Sequence, residues 1–307
     1  MNQGREETLN SPLKGKRHMS FPNIKEVCVV GAGNMGHQIG LCCALAGCTV
    51  RCTDVDRQTL AQAEKFADSY LGGRVSKGKL NADAAKSVRD RISFTPEIET
   101  AALKADIVIE AIIENLVVKK RLFAELDRVC PEHCILATNS SYIVSSKIAP
   151  ATGRPEKVCN LHFFNPALVM RLVEVVQGPH TSEETVQSVF AFACKINKTP
   201  IILKKEIYGF VVNRILKAII DEALHLHDIG VADYHDIDTA VVNALGHPMG
   251  PFKLLDLVGV DLQYHVCMER YQDTGDPLDM PSPLLVEKFV RKEWGRKNGV
   301  GFYSYDD

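Results

Sequence analysis

Neither sign of charge dominates this sequence, and no apolar run in it approaches the length of a membrane span. Lys and Arg total 36 against 38 Asp and Glu, a formal net charge of -2, which argues against a general nucleic-acid binder. No internal repeat is present. The ten cysteines lack the spacing of a disulfide framework and read as reduced core residues of a cytosolic-type compartment. Cys130 and Cys134 resemble half of a metal site, but no second pair matches them, so no metal is expected. Residues 1–20 lack the apolar core of a secretory signal, and Glu6 and Glu7 argue against a mitochondrial presequence. They read as a disordered tail, and the expected location is cytoplasmic rather than the mitochondrial matrix.

What is present is a chain of 307 residues, 46% of them hydrophobic, long enough for two domains. Its organising stretch is Val27 to Asp54. Val27-Cys28-Val29-Val30 has the composition of a strand buried on both faces. Gly31-Ala32-Gly33-Asn34-Met35-Gly36 follows, then a helix-length apolar stretch and a second strand-like run ending at Asp54. Gly31 permits a tight turn, Gly33 lets the backbone approach a pyrophosphate, and Gly36 lets helix and strand pack closely. The helix start, with Asn34 and Met35, favours phosphate charge. Asp54 stands where its carboxylate can accept hydrogen bonds from an adenosine ribose, although an acid there can also be a solvated turn residue. It disfavours a 2′-phosphate, so the expected cofactor is NAD.

Beyond Asp54, a polar helical segment carries Gly72-Gly73, read as an interruption, and a basic elbow at Lys77-Gly78-Lys79. The lysines fit either the phosphates of a large substrate or a solvated helix face. Short apolar runs then alternate with helical segments: Ile92 to Phe94, Asp106 to Ala111, Cys134 to Thr138. This alternation predicts βαβ units and a parallel sheet, with ligands beyond the carboxyl ends of its strands. Glu114, Lys119 and the run Asn139-Ser140-Ser141 fall there, although capping and turn-making also explain such residues.

In Lys157 to Val176, strands are predicted at Val158 to His162 and Leu172 to Val176, with a turn at Asn165-Pro166. His162 ends one strand and Glu174 lies within the next. Imidazole titrates near neutrality, and a buried carboxylate beside it would fix its orientation, as a proton acceptor for alcohol oxidation requires. A satisfied core histidine is the alternative. Glu174 in so apolar a run needs a partner.

From Glu206 the chain reads as helical, with segments at Gly209 to Asp228, Asp233 to Leu245, Met249 to Val258, Asp261 to Tyr271 and Pro283 to Lys292. The fold class predicted is an α/β, Rossmann-type doubly wound sheet over 21–205, followed by a smaller all-α domain over 206–307. The apolar surface of those helices suggests a homodimer formed through them.

These residues together resemble the L-3-hydroxyacyl-CoA dehydrogenase family, including the bacterial 3-hydroxybutyryl-CoA dehydrogenases. The resemblance rests on GAGNMG, on IEAIIENLVVKK at 109–120, on TNSS at 138–141, and on LHFFNP at 161–166. It continues through LVEVV at 172–176, GFVVNRIL at 209–216, HPMGPF at 247–252 and GVGFYSY at 299–305. It implies reversible, NAD-dependent oxidation of an L-3-hydroxyacyl-CoA, short-chain such as 3-hydroxybutyryl-CoA, in fatty-acid or butyrate metabolism. It implies His162 as general base oriented by Glu174, with Ser141 bonding the substrate oxygen and Asn213 an active-site amide. Asp54, Glu114, Lys119, Asn139, Ser141, Asn165 and Lys297 match cofactor-contacting positions, and Lys77 falls near a lysine for CoA phosphate. Where the family usually has a proline before GF, this chain has Ile207-Tyr208. Two rival readings are a hydroxy-acid or sugar-acid (gulonate-like) dehydrogenase on the same scaffold, and a non-catalytic NAD-binding structural protein.

Overall fold

The structure, a computed structural model, describes residues 23–305, so the tail expected over residues 1–20 lies outside the described residues. The chain divides into two compact units, one ending at Phe210 and the other beginning at Val211.

The first unit is built on one eight-stranded sheet. Its strands are β1 (Glu26–Val30), β2 (Thr49–Thr53), β3 (Ile92–Thr95), β4 (Ile107–Glu110), β5 (Ile135–Thr138), β6 (Val158–Phe163), β7 (Leu172–Val176) and β8 (Thr199–Leu203). The spatial order is β3-β2-β1-β4-β5-β6-β7-β8. Strands β1 to β6 are parallel, β7 runs antiparallel to β6, and β8 is parallel to β7. This is the doubly wound arrangement, in which strand order reverses beside β1.

The strands are apolar because both faces are covered. Val27 and Val29 pack into one cluster with Ile39, Val50, Ile107 and Ile109. Cys28 and Val30 point to the other face, with Val108, Phe123, Leu126 and Leu136. The period of two along each strand thus supplies both cores. Nine of the ten cysteines are buried, Cys194 being exposed. Burial pushes the Cys52 and Cys159 thiols up to about 12, the behaviour of core residues.

Helix α1 (Asn34–Leu45) follows the glycine turn, and α2 (Arg57–Ser76) follows β2. The interruption expected at Gly72-Gly73 does not occur: α2 runs through both glycines. Asp56 caps its first turn by accepting from the Gln58 and Thr59 amides, and Leu60, Ala63, Ala67 and Leu71 bury one face. These gains outweigh the roughly 1 kcal/mol that each helical glycine costs. Helices α3 (Ala82–Arg89), α4 (Ile98–Ala102), α5 (Leu116–Val129) and α6 (Glu183–Lys195) complete the layers.

The second unit is helical: α7 (Val212–Asp228), α8 (Tyr234–Leu245), α9 (Pro251–Val258), α10 (Val260–Thr274) and α11 (Pro283–Val290). The first of these begins three residues later than the sequence suggests, because Gly209 and Phe210 sit at φ 73° and 51°, outside the helical region. Asp233 caps α8 through the Asp236 amide, and left-handed Gly246 closes it. The unit's core gathers Ile220, Leu224, Ile237, Phe252, Leu255, Leu285 and Phe302. Two buried carboxylates organise it. Asp238 accepts from the Phe252 and Lys253 amides and the Tyr303 hydroxyl, and Asp256 from the Phe302 and Tyr303 amides.

Candidate active site

Strand β6 runs parallel to β5, and the chain then reverses into β7. That reversal puts His162 directly opposite Glu174 in the antiparallel register. Facing side chains on such a pair lie on one side of the sheet, about 5 Å apart at Cβ. Here His162 Nδ1 is 2.8 Å from Glu174 Oε2, and both residues are buried. A carboxylate accepts only, so Nδ1 carries the proton, which leaves the Nε2 lone pair facing outward. Nε2 is 3.0 Å from the hydroxyl oxygen of Ser141, on the loop leaving β5. The Phe164 ring lies edge-on to the imidazole with centroids 4.6 Å apart, and the Phe210 ring lies 5.4 Å away. Carboxylate, imidazole and hydroxyl therefore form one continuous hydrogen-bonded chain against an aromatic wall.

The neighbouring Asn139 accepts the Phe163 amide at Oδ1, 2.8 Å away, which ties the end of β5 to the end of β6. The same loop is held from a third strand. Glu110, the last residue of β4, is fully buried. Its carboxylate accepts from Lys119 Nζ at 2.6 Å, Thr138 Oγ1 at 2.7 Å and the Ile112 amide at 2.8 Å. Lys119 also reaches Glu114 Oε2 at 3.3 Å. Glu114 in turn accepts from the Ser140 hydroxyl and from the Tyr142 and Ile143 amides. The Lys119 ammonium is thus enclosed between two carboxylates rather than presented to an open cleft.

On the glycine turn, Gly31 has φ 95°, and a Cβ there would come 2.5 Å from the Ala111 carbonyl oxygen. A Cβ on Gly36 would fall 1.7 Å from Gly31 O. Only glycine fits either place. Gly33 caps α1, and nothing lies within 4 Å of a Cβ built on it, so the space a ligand needs is clear. Asp54 Oδ2 accepts the Ala32 amide at 2.8 Å, fixing the carboxylate beside the turn. Asn34 begins α1 and donates from Nδ2 to Asn165 Oδ1 at 3.1 Å, while Met35 packs against the first cluster. A cleared glycine turn at a helix start, with an acid at the end of the next strand, fits a dinucleotide.

Lys77, the residue closing α2, is exposed. In the second unit, Asn213 lies in the first turn of α7 and Lys297 is ion-paired with Asp261.

Comparison with known proteins agrees with this geometry. The family described as 3-hydroxyacyl-CoA dehydrogenase, NAD binding domain, matches residues 26–207. Its C-terminal domain matches residues 209–305. The chain belongs to the 3-hydroxyacyl-CoA dehydrogenase family. It is an NAD-dependent oxidoreductase acting on a CH–OH group, and its cofactor is NAD. It is similar to a probable 3-hydroxybutyryl-CoA dehydrogenase of Bacillus subtilis, 42% identical over 92% of this chain and 98% of that one. A mitochondrial hydroxyacyl-coenzyme A dehydrogenase of Homo sapiens is 39% identical over 92% of this chain and 91% of its own. Among solved structures, the (S)-3-hydroxybutyryl-CoA dehydrogenase of Ralstonia eutropha superposes with a TM-score of 0.86 at 35% identity, covering 93% of this chain and 100% of that one.

Sequence reasoning gave no site role to Glu110, Asn160 or Glu206, all of which structure the loop that carries Ser141. Glu110 had a signal: it is a carboxylate ending an apolar strand run, the same feature that drew attention to Glu174.

Proposed function

We propose that this dehydrogenase interconverts an L-3-hydroxyacyl-CoA and the 3-ketoacyl-CoA, with short-chain substrates such as 3-hydroxybutyryl-CoA preferred. The observation that carries the reading is the Glu174–His162–Ser141 chain of hydrogen bonds. In the oxidation direction, the substrate hydroxyl docks between Ser141 Oγ and His162 Nε2. His162 takes its proton at Nε2, and Glu174 holds Nδ1–H and stabilises the imidazolium formed. Bound NAD+ supplies the acceptor for the hydrogen and electron pair leaving C3. In the reverse direction His162 returns the proton to the oxygen at C3. The Phe164 and Phe210 rings keep water from the imidazole, which strengthens its interaction with the carboxylate.

Asp54 accepts bonds from the adenosine ribose, and Gly31, Gly33, Asn34, Met35 and Gly36 hold the pyrophosphate. We assign further cofactor contact to Glu114, Asn139, Ser141, Asn165 and Lys297, with Lys119 acting through Glu114. Asn213 contacts the substrate, and Lys77 takes a CoA phosphate. The supporting observation for a homodimer is that Ile215 and Leu245, on helices of the second unit, are 57% and 67% exposed. The reaction belongs to fatty-acid or butyrate metabolism, in the cytoplasm.

The test is NADH oxidation followed by absorbance with acetoacetyl-CoA, beside free acetoacetate and NADPH. Rapid loss of NADH with the thioester alone is expected. Turnover of the free acid in its place would move the assignment to a hydroxy-acid dehydrogenase. Tight NADH binding with no turnover would favour a non-catalytic role.

A further inference from the structure

Asn160 is fully buried on β6, two residues before His162, so the two side chains leave the same face of the sheet. Its amide reaches into the loop after β5. Oδ1 accepts the Ser145 amide at 2.8 Å, and Nδ2 donates to Ile143 O at 3.0 Å and to Ser140 O at 3.4 Å. Both donors of the amide and one of its acceptor positions are thus engaged with backbone. Two of these partners, Ser140 O and Ile143 O, lie on either side of Ser141 along the chain.

The segment has no ladder of its own, so side chains take its backbone groups. Glu114 accepts the Tyr142 and Ile143 amides, and Glu206 accepts the Ser145 hydroxyl and the Ser146 amide. Carboxylates can hold amides, but they cannot bond carbonyls. Asn160 bonds the carbonyls flanking Ser141, and it does so from the strand that carries His162. The 3.0 Å separation of Ser141 Oγ from His162 Nε2 is therefore held by side-chain connections between β6 and this loop. Besides the Ser141–His162 contact itself, Asn139 takes the Phe163 amide at the start of the loop. Asn160 holds the backbone on both sides of Ser141.

We propose that Asn160 is a positioning residue for the dehydrogenation. It holds the backbone on both sides of Ser141 so that the hydroxyl stays on His162 Nε2, where the alcohol oxygen docks. This rests on the roles given above to Ser141 and His162. A misplacement of about 1 Å in a catalytic group costs on the order of 100-fold in rate, which sets the scale of the effect.

The experiment compares Asn160→Ala, Ser141→Ala and the double variant for NADH oxidation by acetoacetyl-CoA, with NADH affinity measured by fluorescence. Asn160→Ala is expected to lower kcat by roughly 10- to 100-fold, with KM and NADH affinity changed by less than about threefold. In the Ser141→Ala background the same substitution is expected to cost less than about threefold, because the group it positions is gone. Asn160→Asp keeps Oδ1 but sets a second oxygen against two carbonyls, so it is expected to be at least as impaired. Full additivity in the double variant, or an equal loss of NADH affinity, overturns the proposal. Hydrogen exchange in the unaltered protein gives an answer that needs no variant to fold. The Ser145 amide is expected to be protected, and exchange as fast as that of an exposed loop amide overturns the anchor. If Ser141→Ala itself keeps full turnover, the reading of Ser141 falls while the Ser145 protection stands. If Ser141→Ala is impaired and Asn160→Ala is not, only the present inference falls.

Discussion

Glu110 and Lys119 form a buried ion pair, with Oε1 and Nζ 2.6 Å apart and side chains 0% and 1% exposed. Each charge has left water, so the pair is stable only because Thr138, Ile112 and Glu114 complete its hydrogen bonding. Removing one partner leaves the other charge buried alone. Lys119→Met is expected to destabilise the first unit by about 3–5 kcal/mol. The double variant Lys119→Met with Glu110→Gln is expected to recover part of that loss. Urea unfolding of the three proteins measures both, and a Lys119→Met variant as stable as the parent would show that the pair does not hold the fold.

His162→Ala is expected to fold, to bind NADH with unchanged affinity, and to lose turnover by about 10²–10⁴-fold. Steady-state kinetics beside a fluorescence titration separates the two quantities. Turnover within a few fold of the parent refutes the base assignment.

Asp54 lies at the end of β2 with one carboxylate oxygen already on the Ala32 amide. Asp54→Ala therefore loses both the proposed ribose contact and the tie to the turn. NADH affinity is expected to fall by roughly 10- to 100-fold, the equivalent of about 1.5–3 kcal/mol for hydrogen bonds to a charged group. An unchanged NADH dissociation constant rules out the ribose contact.

Gly72 and Gly73 sit inside α2 with nothing within 4 Å of an added Cβ. Alanine at either position relieves a helix cost without a clash. Each substitution is expected to stabilise by about 0.5–1 kcal/mol. A lower urea midpoint in either variant contradicts this account of α2.

Burial raises the Cys52 and Cys159 thiols from 9.0 to about 12. A buried thiol keeps its proton in the folded state, so folding is penalised once the pH is high enough for the unfolded chain to lose that proton. The stability linked to these protons is fully present below pH 9 and is lost as pH rises from 9 toward 12. A Cys52→Ala, Cys159→Ala variant is expected to lose less stability between pH 9 and pH 11 than the parent loses. Equal losses would remove these thiols from the cause of alkaline unfolding.

Several features of this protein were readable because their causes are local. The strand at Val27 to Val30, the turn glycines and the strand ending at Asp54 depend on backbone sterics and on apolar runs of fixed length. The cap at Asp233 and the stop at Gly246 depend on neighbours within one turn. Even so, local rules misjudged α2 at Gly72-Gly73 and placed the start of α7 too early. In the first case a buried face outweighed glycine's cost, and in the second two positive φ angles decided the boundary.

Other features had to wait for the folded chain. That β7 runs antiparallel to β6, and in the register that sets His162 against Glu174, is a property of sheet pairing between segments 12 residues apart. The apolar pattern of either strand permits other registers. Asn160 is a single polar residue in an apolar run, and its partners lie 15 to 20 residues upstream on a loop with no regular structure. The enclosure of Lys119 between Glu110 and Glu114 needs β4 and the start of α5 packed together. Charges and amides are satisfied by whatever the fold brings near, and a hydrogen bond between distant segments leaves no period in the sequence. Local propensity and hydrophobic period therefore determined the elements and the dinucleotide turn, while tertiary packing alone decided which polar side chains meet.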